Sequence, residues 1–246
     1  MAIPAGTGSL PPGSSVLAVC AHPDDESFGL GAILHRFAAA GVRTSVLCFT
    51  HGEASTLGPF ASGLREIREA ELTAAARQLG VGSVEVLDHP DGALAAVPLD
   101  VLVDAVRRSM AIEDADLLLV FDEGGVTGHL DHCRATEAAV AAAANDGVPV
   151  LAWGVPKAVS ESLNEEFSSS FVGREQFDVV LTVDRDAQRR AIACHASQST
   201  HNPVLWRRLE LLGGTESLRW LRPSPLDGFE IDVPAAVAAG TTAKEA

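Results

Sequence analysis

Residues 16–41 read VLAVCAHPDDESFGLGAILHRFAAAG, and the run holds a strand, a loop and a helix in succession. Val16 to Cys20 is apolar at every position, as in a strand covered on both faces, where a half-wet strand would alternate. The strand stops at His22-Pro23-Asp24-Asp25. From Gly29 to Ala40 apolar residues return at helical spacing, and Gly41 stands at the C′ position where such a helix ends.

Outward from this unit the same pattern repeats. Arg43 to Phe49 is a second buried strand, and a helix follows from Leu64 to Leu79, closed by Gly80. Val84 to Leu87 is a third strand, Leu99 to Met110 a helix, and Asp116 to Phe121 a fourth strand. After the loop EGGVTGHLDH (residues 123–132) come an Ala-rich helix to about Ala144 and a strand from Val148 to Trp153. Residues 157–176 read as polar loop, Val179 to Val183 as a strand, and Asp184 as the cap of a helix to about Ala196. Another helix covers Pro203 to Leu212. Apolar strands each followed by an amphipathic helix describe an α/β, Rossmann-like fold, a mostly parallel sheet with helices on both faces. Ligands then bind at the C-terminal ends of the strands, where HPDD and HLDH both fall. One domain over residues 15–232 is expected, with a flexible arm at 1–14 and a disordered tail at 233–246.

Bulk properties narrow the function. The chain has 246 residues, enough for a large core, and a net charge of −15. That charge argues against a sequence-independent hold on nucleic acid or an anionic membrane. Cys20, Cys48, Cys133 and Cys194 form no CxxC pair and read as free thiols of an intracellular protein. The N-terminus has neither the basic region of a signal peptide nor a span-length apolar run, so a cytoplasmic location is expected. Tyr is absent, so no phenol can act as an acid.

Two segments carry chemistry. In His22-Pro23-Asp24-Asp25-Glu26, adjacent carboxylates at the mouth of a buried strand repel unless a cation lies among them. A divalent metal answers that, and a helix-capping Asp is the plainer alternative. In His129-Leu130-Asp131-His132, one histidine can be a ligand and the Asp can orient an imidazole, or the segment is a solvated, capped helix start. Two histidines and one carboxylate make a three-ligand site with an open position, as hydrolytic Zn²⁺ needs, and the same set suits Fe²⁺.

AHPDDE, THGE (residues 50–53), the RxxE of Arg68 and Glu71, GHLDH (residues 128–132) and CHASQ (residues 194–198) together resemble the LmbE-like, or PIG-L, N-deacetylases. That family includes N-acetylglucosaminyl-phosphatidylinositol deacetylase and the deacetylases of mycothiol and bacillithiol biosynthesis. The resemblance implies zinc held by His22, Asp25 and His132, with Asp24 as the general base toward the attacking water. It further implies His129 as an imidazolium stabilising the oxyanion or protonating the amine, and Asp131 orienting an imidazole. Arg68 and Asp91 would meet sugar hydroxyls; a surface helix residue and a simple turn are the alternatives for these two. The implied substrate is a small molecule, a glycoside of an N-acylated amino sugar, with the oligomeric state left open. Two departures stand out: Leu130 replaces the family's Pro, and Thr127 stands where mycothiol-pathway members carry a Tyr.

Competing readings are weaker. A dinucleotide-dependent oxidoreductase finds support in Gly29-Leu30-Gly31, but Leu34 stands in place of the third glycine, and two Asp would repel a pyrophosphate. A metal-binding protein without turnover would need neither Asp24 nor His129. A serine hydrolase would show a GxSxG elbow, which is missing.

Overall fold

The computed structural model describes residues 6–7, 9–57 and 62–222. Eight strands form one sheet: β1 (Gly6–Thr7), β2 (Ser15–Cys20), β3 (Arg43–Cys48), β4 (Ser83–Val86), β5 (Leu117–Phe121), β6 (Val150–Trp153), β9 (Val179–Thr182) and β10 (Thr215–Arg222). A separate pair joins β7 (Val155–Pro156) to β8 (Gly173–Arg174). The helices are α1 (Asp25–Phe28), α2 (Gly31–Ala39), α3 (Leu64–Leu79), α4 (Leu99–Glu113), α5 (Gly125–Gly128), α6 (Leu130–Asp146), α7 (Lys157–Phe167), α8 (Asp186–Cys194), α9 (Ala196–Ser199) and α10 (Pro203–Leu212).

β2 explains the layering. Val16, Ala18 and Cys20 belong to an apolar layer with Ile33, Leu34 and Phe37 of α2 and Leu72 of α3. Leu17 and Val19 belong to the opposite layer with Leu102 and Val106 of α4 and Ala135, Ala138 and Ala142 of α6. Both faces are dry, which is why the strand shows no polar alternation. Each buried leucine contributes about 1.5–3 kcal/mol, and the small alanine side chains of α6 let that helix lie close on the sheet.

Strand order places the site. The sheet runs β1-β9-β10-β6-β5-β2-β3-β4, and β4, β3, β2, β5 and β6 are mutually parallel. From β2 the chain moves out through β3 to β4, then returns to β5 on the other side of β2. Such a reversal leaves a crevice beyond the C-terminal ends of the two central strands. HPDD follows β2 and GHLDH follows β5, so both motifs open into it.

Several expectations shift. The helix expected from Gly29 to Ala40 is α2, Gly31–Ala39, and a separate short helix, α1 (Asp25–Phe28), precedes it where loop was expected. Residues 157–176, read as loop, contain α7, whose Ser160 and Leu163 are buried. β10 has no counterpart in the sequence reading and pairs antiparallel with both β6 and β9. Gly6 and Thr7 of the expected arm pair with Val179 and Val180, and the Ser14 hydroxyl donates to Asp116 at 2.6 Å. Residues 1–5 and 8 of the arm, and the tail at 233–246, lie outside the described residues. All four cysteines are free thiols, Cys20 and Cys48 fully buried. Among the described residues no helix is long and apolar enough to cross a membrane.

Candidate active site

The turn after β2 is built around Asp25. The backbone N–H groups of Ala21 and His22 donate to its Oδ2 at 3.0 and 2.9 Å, which leaves Oδ1 to face His132 Nε2 at 3.2 Å. His22 Nδ1 lies 3.1 Å from the same His132 Nε2 and 3.8 Å from Asp25 Oδ2. Three donor atoms thus converge from two loops. His22 and His132 also stand with His129, their ring nitrogens gathered within 4.8 Å.

Outer partners fix which nitrogen each imidazole offers. His132 Nδ1 is 3.0 Å from the Gly125 carbonyl, to which it can only donate, so Nε2 presents a lone pair. His22 Nε2 is 3.1 Å from Asp91 Oδ1 and 3.4 Å from Asp131 Oδ2, so Nδ1 faces the shared point. Asp131 is in turn held by the N–H groups of Gly92 and Leu94 at 2.8 and 3.0 Å. Carboxylate–imidazole pairs of this kind orient metal-ligating histidines.

Charge points the same way. Burial lowers the basicity of His22, but Asp131, Asp91 and Asp25 overcome that and push it up to about 10. Burial raises Asp25, yet His132 and His22 hold it below the usual carboxylate range. A cluster that holds a proton so tightly is short of positive charge, and a divalent ion among the three donors would supply it. The donor set fits zinc or ferrous iron.

Asp24 lies beside this point in a strained conformation, with φ 127°. Such a backbone costs a non-glycine residue about 1–3 kcal/mol and needs bracing. Arg68 of α3 provides the brace: it donates to Pro23 O at 2.5 Å, Gly52 O at 2.6 Å and Asp24 Oδ2 at 2.9 Å. A Cβ on Gly52 would fall 2.2 Å from Arg68 Nη1, so that glycine admits the guanidinium. Burial pushes Asp24 up to about 6, against the pull of Arg68. Beneath it Glu26, fully buried, accepts from the Asp24 N–H at 2.9 Å and pairs with buried His195 at 2.7 Å.

His129 caps α6, its Nδ1 accepting the Asp131 N–H at 3.2 Å. Burial, His132 and His22 all lower its basicity. The imidazolium anticipated from the sequence is therefore disfavoured, and the neutral ring with its proton on Nε2 is what the cap leaves. Before it, Val126 has φ 67° and ψ −57°, an outlying conformation for a β-branched residue.

His22, Asp24, Asp25, Arg68, His129 and His132 line a cavity of about 480 Å³, completed by Phe28, Phe121, Thr127, Phe171, Asn202 and Arg208 among others. Arg68 lines the cavity and is buried, not a surface residue; Nη1 and Nη2 donate to protein, while Nε has no hydrogen-bond partner. Asp91 likewise directs one oxygen to His22, and its other accepts the Ala54 N–H at 2.7 Å. Sequence reasoning missed Glu26–His195 and Arg208. AHPDDE and CHASQ contain the first pair, but no spacing rule joins residues 169 positions apart.

The sequence pattern of the PIG-L family, described as GlcNAc-PI de-N-acetylase, matches residues 17–144, more than half of the chain. An N-acetylglucosaminyl-phosphatidylinositol de-N-acetylase of Bos taurus is 29% identical over 213 residues, covering 81% of this chain and 79% of that protein. A 1D-myo-inositol 2-acetamido-2-deoxy-alpha-D-glucopyranoside deacetylase of Kineococcus radiotolerans is 31% identical over 180 residues, covering 59% of this chain and 50% of that protein. Among solved structures, a deacetylase of the teicoplanin biosynthesis pathway shares the fold, with a TM-score of 0.63 and 22% identity over 84% of this chain and 96% of its own. With more than half its length matched, and both motif loops inside that match, this chain belongs to the PIG-L family of de-N-acetylases.

Proposed function

We propose that the protein hydrolyses the amide of an N-acetylated amino sugar, or a closely related small amide, to a free amine and a carboxylate. His22, Asp25 and His132 would hold the metal, zinc or ferrous iron. Such an ion supplies a Lewis acid for the amide carbonyl and brings the pKa of a water toward about 7.

The residues around that point do the rest. Asp24, held by Arg68 and poised near 6, takes the proton of the attacking water as its oxygen adds to the carbonyl carbon. His129 offers its Nε2–H to the oxygen on which negative charge develops, a donation worth a few kcal/mol in a dry site. When the C–N bond breaks, the proton on Asp24 passes to the departing nitrogen, which balances the reaction. Asp131 and Asp91 keep His22 in the required tautomer throughout.

The observation that carries this reading is the meeting of His22 Nδ1, Asp25 Oδ1 and His132 Nε2 beside a base that is ion-paired at 2.9 Å. The names of the relatives favour a glucosamine-type substrate. Thr127, lining the cavity without a phenol, is where this site departs from the mycothiol-pathway arrangement. The test is amine release from a panel of N-acetylglucosaminides by protein of measured metal content. Turnover should follow zinc or iron occupancy, and a fully loaded protein that releases no amine from any of them would overturn the proposal.

A further inference from the structure

Arg208 is a buried cation that the proposed chemistry leaves unused and that, unlike Arg185, pairs with no carboxylate among the described residues. It is 7% exposed and lines the cavity from α10. Its Nη2 donates to Phe28 O at 2.8 Å, at the end of α1, and its guanidinium lies over the Trp153 ring at 5.3 Å. Nε is buried without a hydrogen-bond partner. Nη1 makes no hydrogen bond among the described residues, and it is the nitrogen left to meet the cavity.

Nearby carboxylates do not pair with it. Glu216, whose charge acts on it most, already accepts from Arg185 Nη1 and Trp153 Nε1, each at 2.5 Å. Asp24 is taken by Arg68. No carboxylate among the described residues lies within ion-pair distance of Arg208. Burial pulls the group down to about 10, so it stays cationic at neutral pH while desolvated and unpaired. An unpaired buried charge is costly unless something completes it.

We propose that Arg208 makes the α1–α10 wall of the cavity a subsite for an oxyanion carried by the substrate, a carboxylate or a phosphate. This rests on the hydrolytic reading and adds a substrate class to it. A guanidinium held over an aromatic ring, with Nη2 fixed and Nη1 free, is pre-organised to meet a carboxylate or a phosphate. Phe28 and Phe171 line the cavity with it and keep water from screening the pair. The net charge of −15 makes the point sharper, because the chain as a whole repels anions and only a local cation can admit one.

Two compound pairs locate the charge. N-succinylglucosamine against N-acetylglucosamine tests an oxyanion on the acyl side. N-acetylglucosamine 1-phosphate against methyl N-acetylglucosaminide tests one on the aglycone side. For the metal-loaded protein we expect one anionic member to exceed its neutral partner by about 10- to 100-fold in kcat/KM, the scale of a hydrogen bond to a charged group. Calorimetric Kd values for glucosamine 1-phosphate against glucosamine, and for succinate against its half-amide succinamate, which lacks the second carboxylate, should show the corresponding preference. In Arg208→Gln the anionic-to-neutral ratio should collapse toward one, carried by KM and Kd. Arg208→Lys, which keeps charge but loses the fork, should fall between. Absence of any anion preference in the parent protein, or an unchanged ratio in both variants, would overturn the subsite. If no compound releases amine, the hydrolytic reading fails by itself, and the Kd ratios still decide Arg208.

Discussion

Asp24 shows what one residue can and cannot reveal. Two adjacent aspartates after an apolar strand are visible in the sequence, and their repulsion points to a cation. Which of them braces the turn and which faces the histidines depends on Arg68, 44 positions away, and on a backbone angle of φ 127°. Neither follows from local spacing. The environment also sets a testable pH dependence. A base works only when ionised, and burial raises Asp24 to about 6, so kcat/KM should fall as pH drops through that value. A bound divalent ion favours the carboxylate and moves this acid limb below 6, never above it. Asp24→Asn should keep its metal and lose about 10²- to 10⁴-fold in kcat. An Asp24→Asn protein with parental kcat, or a parent with no acid limb, would remove Asp24 from the role of base.

At the scale of elements, the strand–loop–helix units from β2 to β6 were legible because each combines a dry strand with a one-sided helix. α7 was not, since its buried stripe includes Ser160 and its other faces are charged. β10 escaped for a similar reason: Glu216 lies fully buried within it, ion-paired with Arg185 and accepting a hydrogen bond from Trp153. The break between α1 and α2 was also invisible, yet it matters to the site. A Cβ on Gly29 would stand 2.3 Å from Phe121 Cε1 and 2.8 Å from Cζ, and Phe121 packs edge-on against His132 with ring centroids 5.0 Å apart. Gly29→Ala should therefore cost about 1–3 kcal/mol by overpacking. It should also weaken metal binding about 10-fold or more by displacing the ring that seats His132. Gly41→Ala is the matched control. Its φ of +81° opposes an alanine, but nothing lies within 4 Å of the added carbon, so only stability should fall. Equal metal affinity in the two variants would detach Phe121 from the metal centre.

On the scale of the whole molecule, the site exists because β2 and β5 are neighbours in the sheet although the 96 residues of 21–116, including the excursion through β3 and β4, lie between them in sequence. Metal bound across that junction would tie the HPDD loop to the start of α6, so it should stabilise the entire fold. At a free metal concentration 1,000 times Kd the gain is about 4 kcal/mol, or roughly 10 °C in Tm for a chain of this size. Chelation should remove it, and His132→Ala should show the lower Tm with or without chelator. The proton balance is equally specific. His22 is pushed up to about 10 by Asp131 and Asp91, so at pH 7 the metal-free site holds a proton on an imidazole that must bind as its neutral form. Loading should release about one proton per metal at pH 7, seen as a binding heat that varies with the ionisation enthalpy of the buffer. Affinity should accordingly weaken as pH falls, because the proton and the metal compete for His22 Nδ1. A Tm indifferent to chelator, or a buffer-independent heat, would place the metal elsewhere than between these two loops.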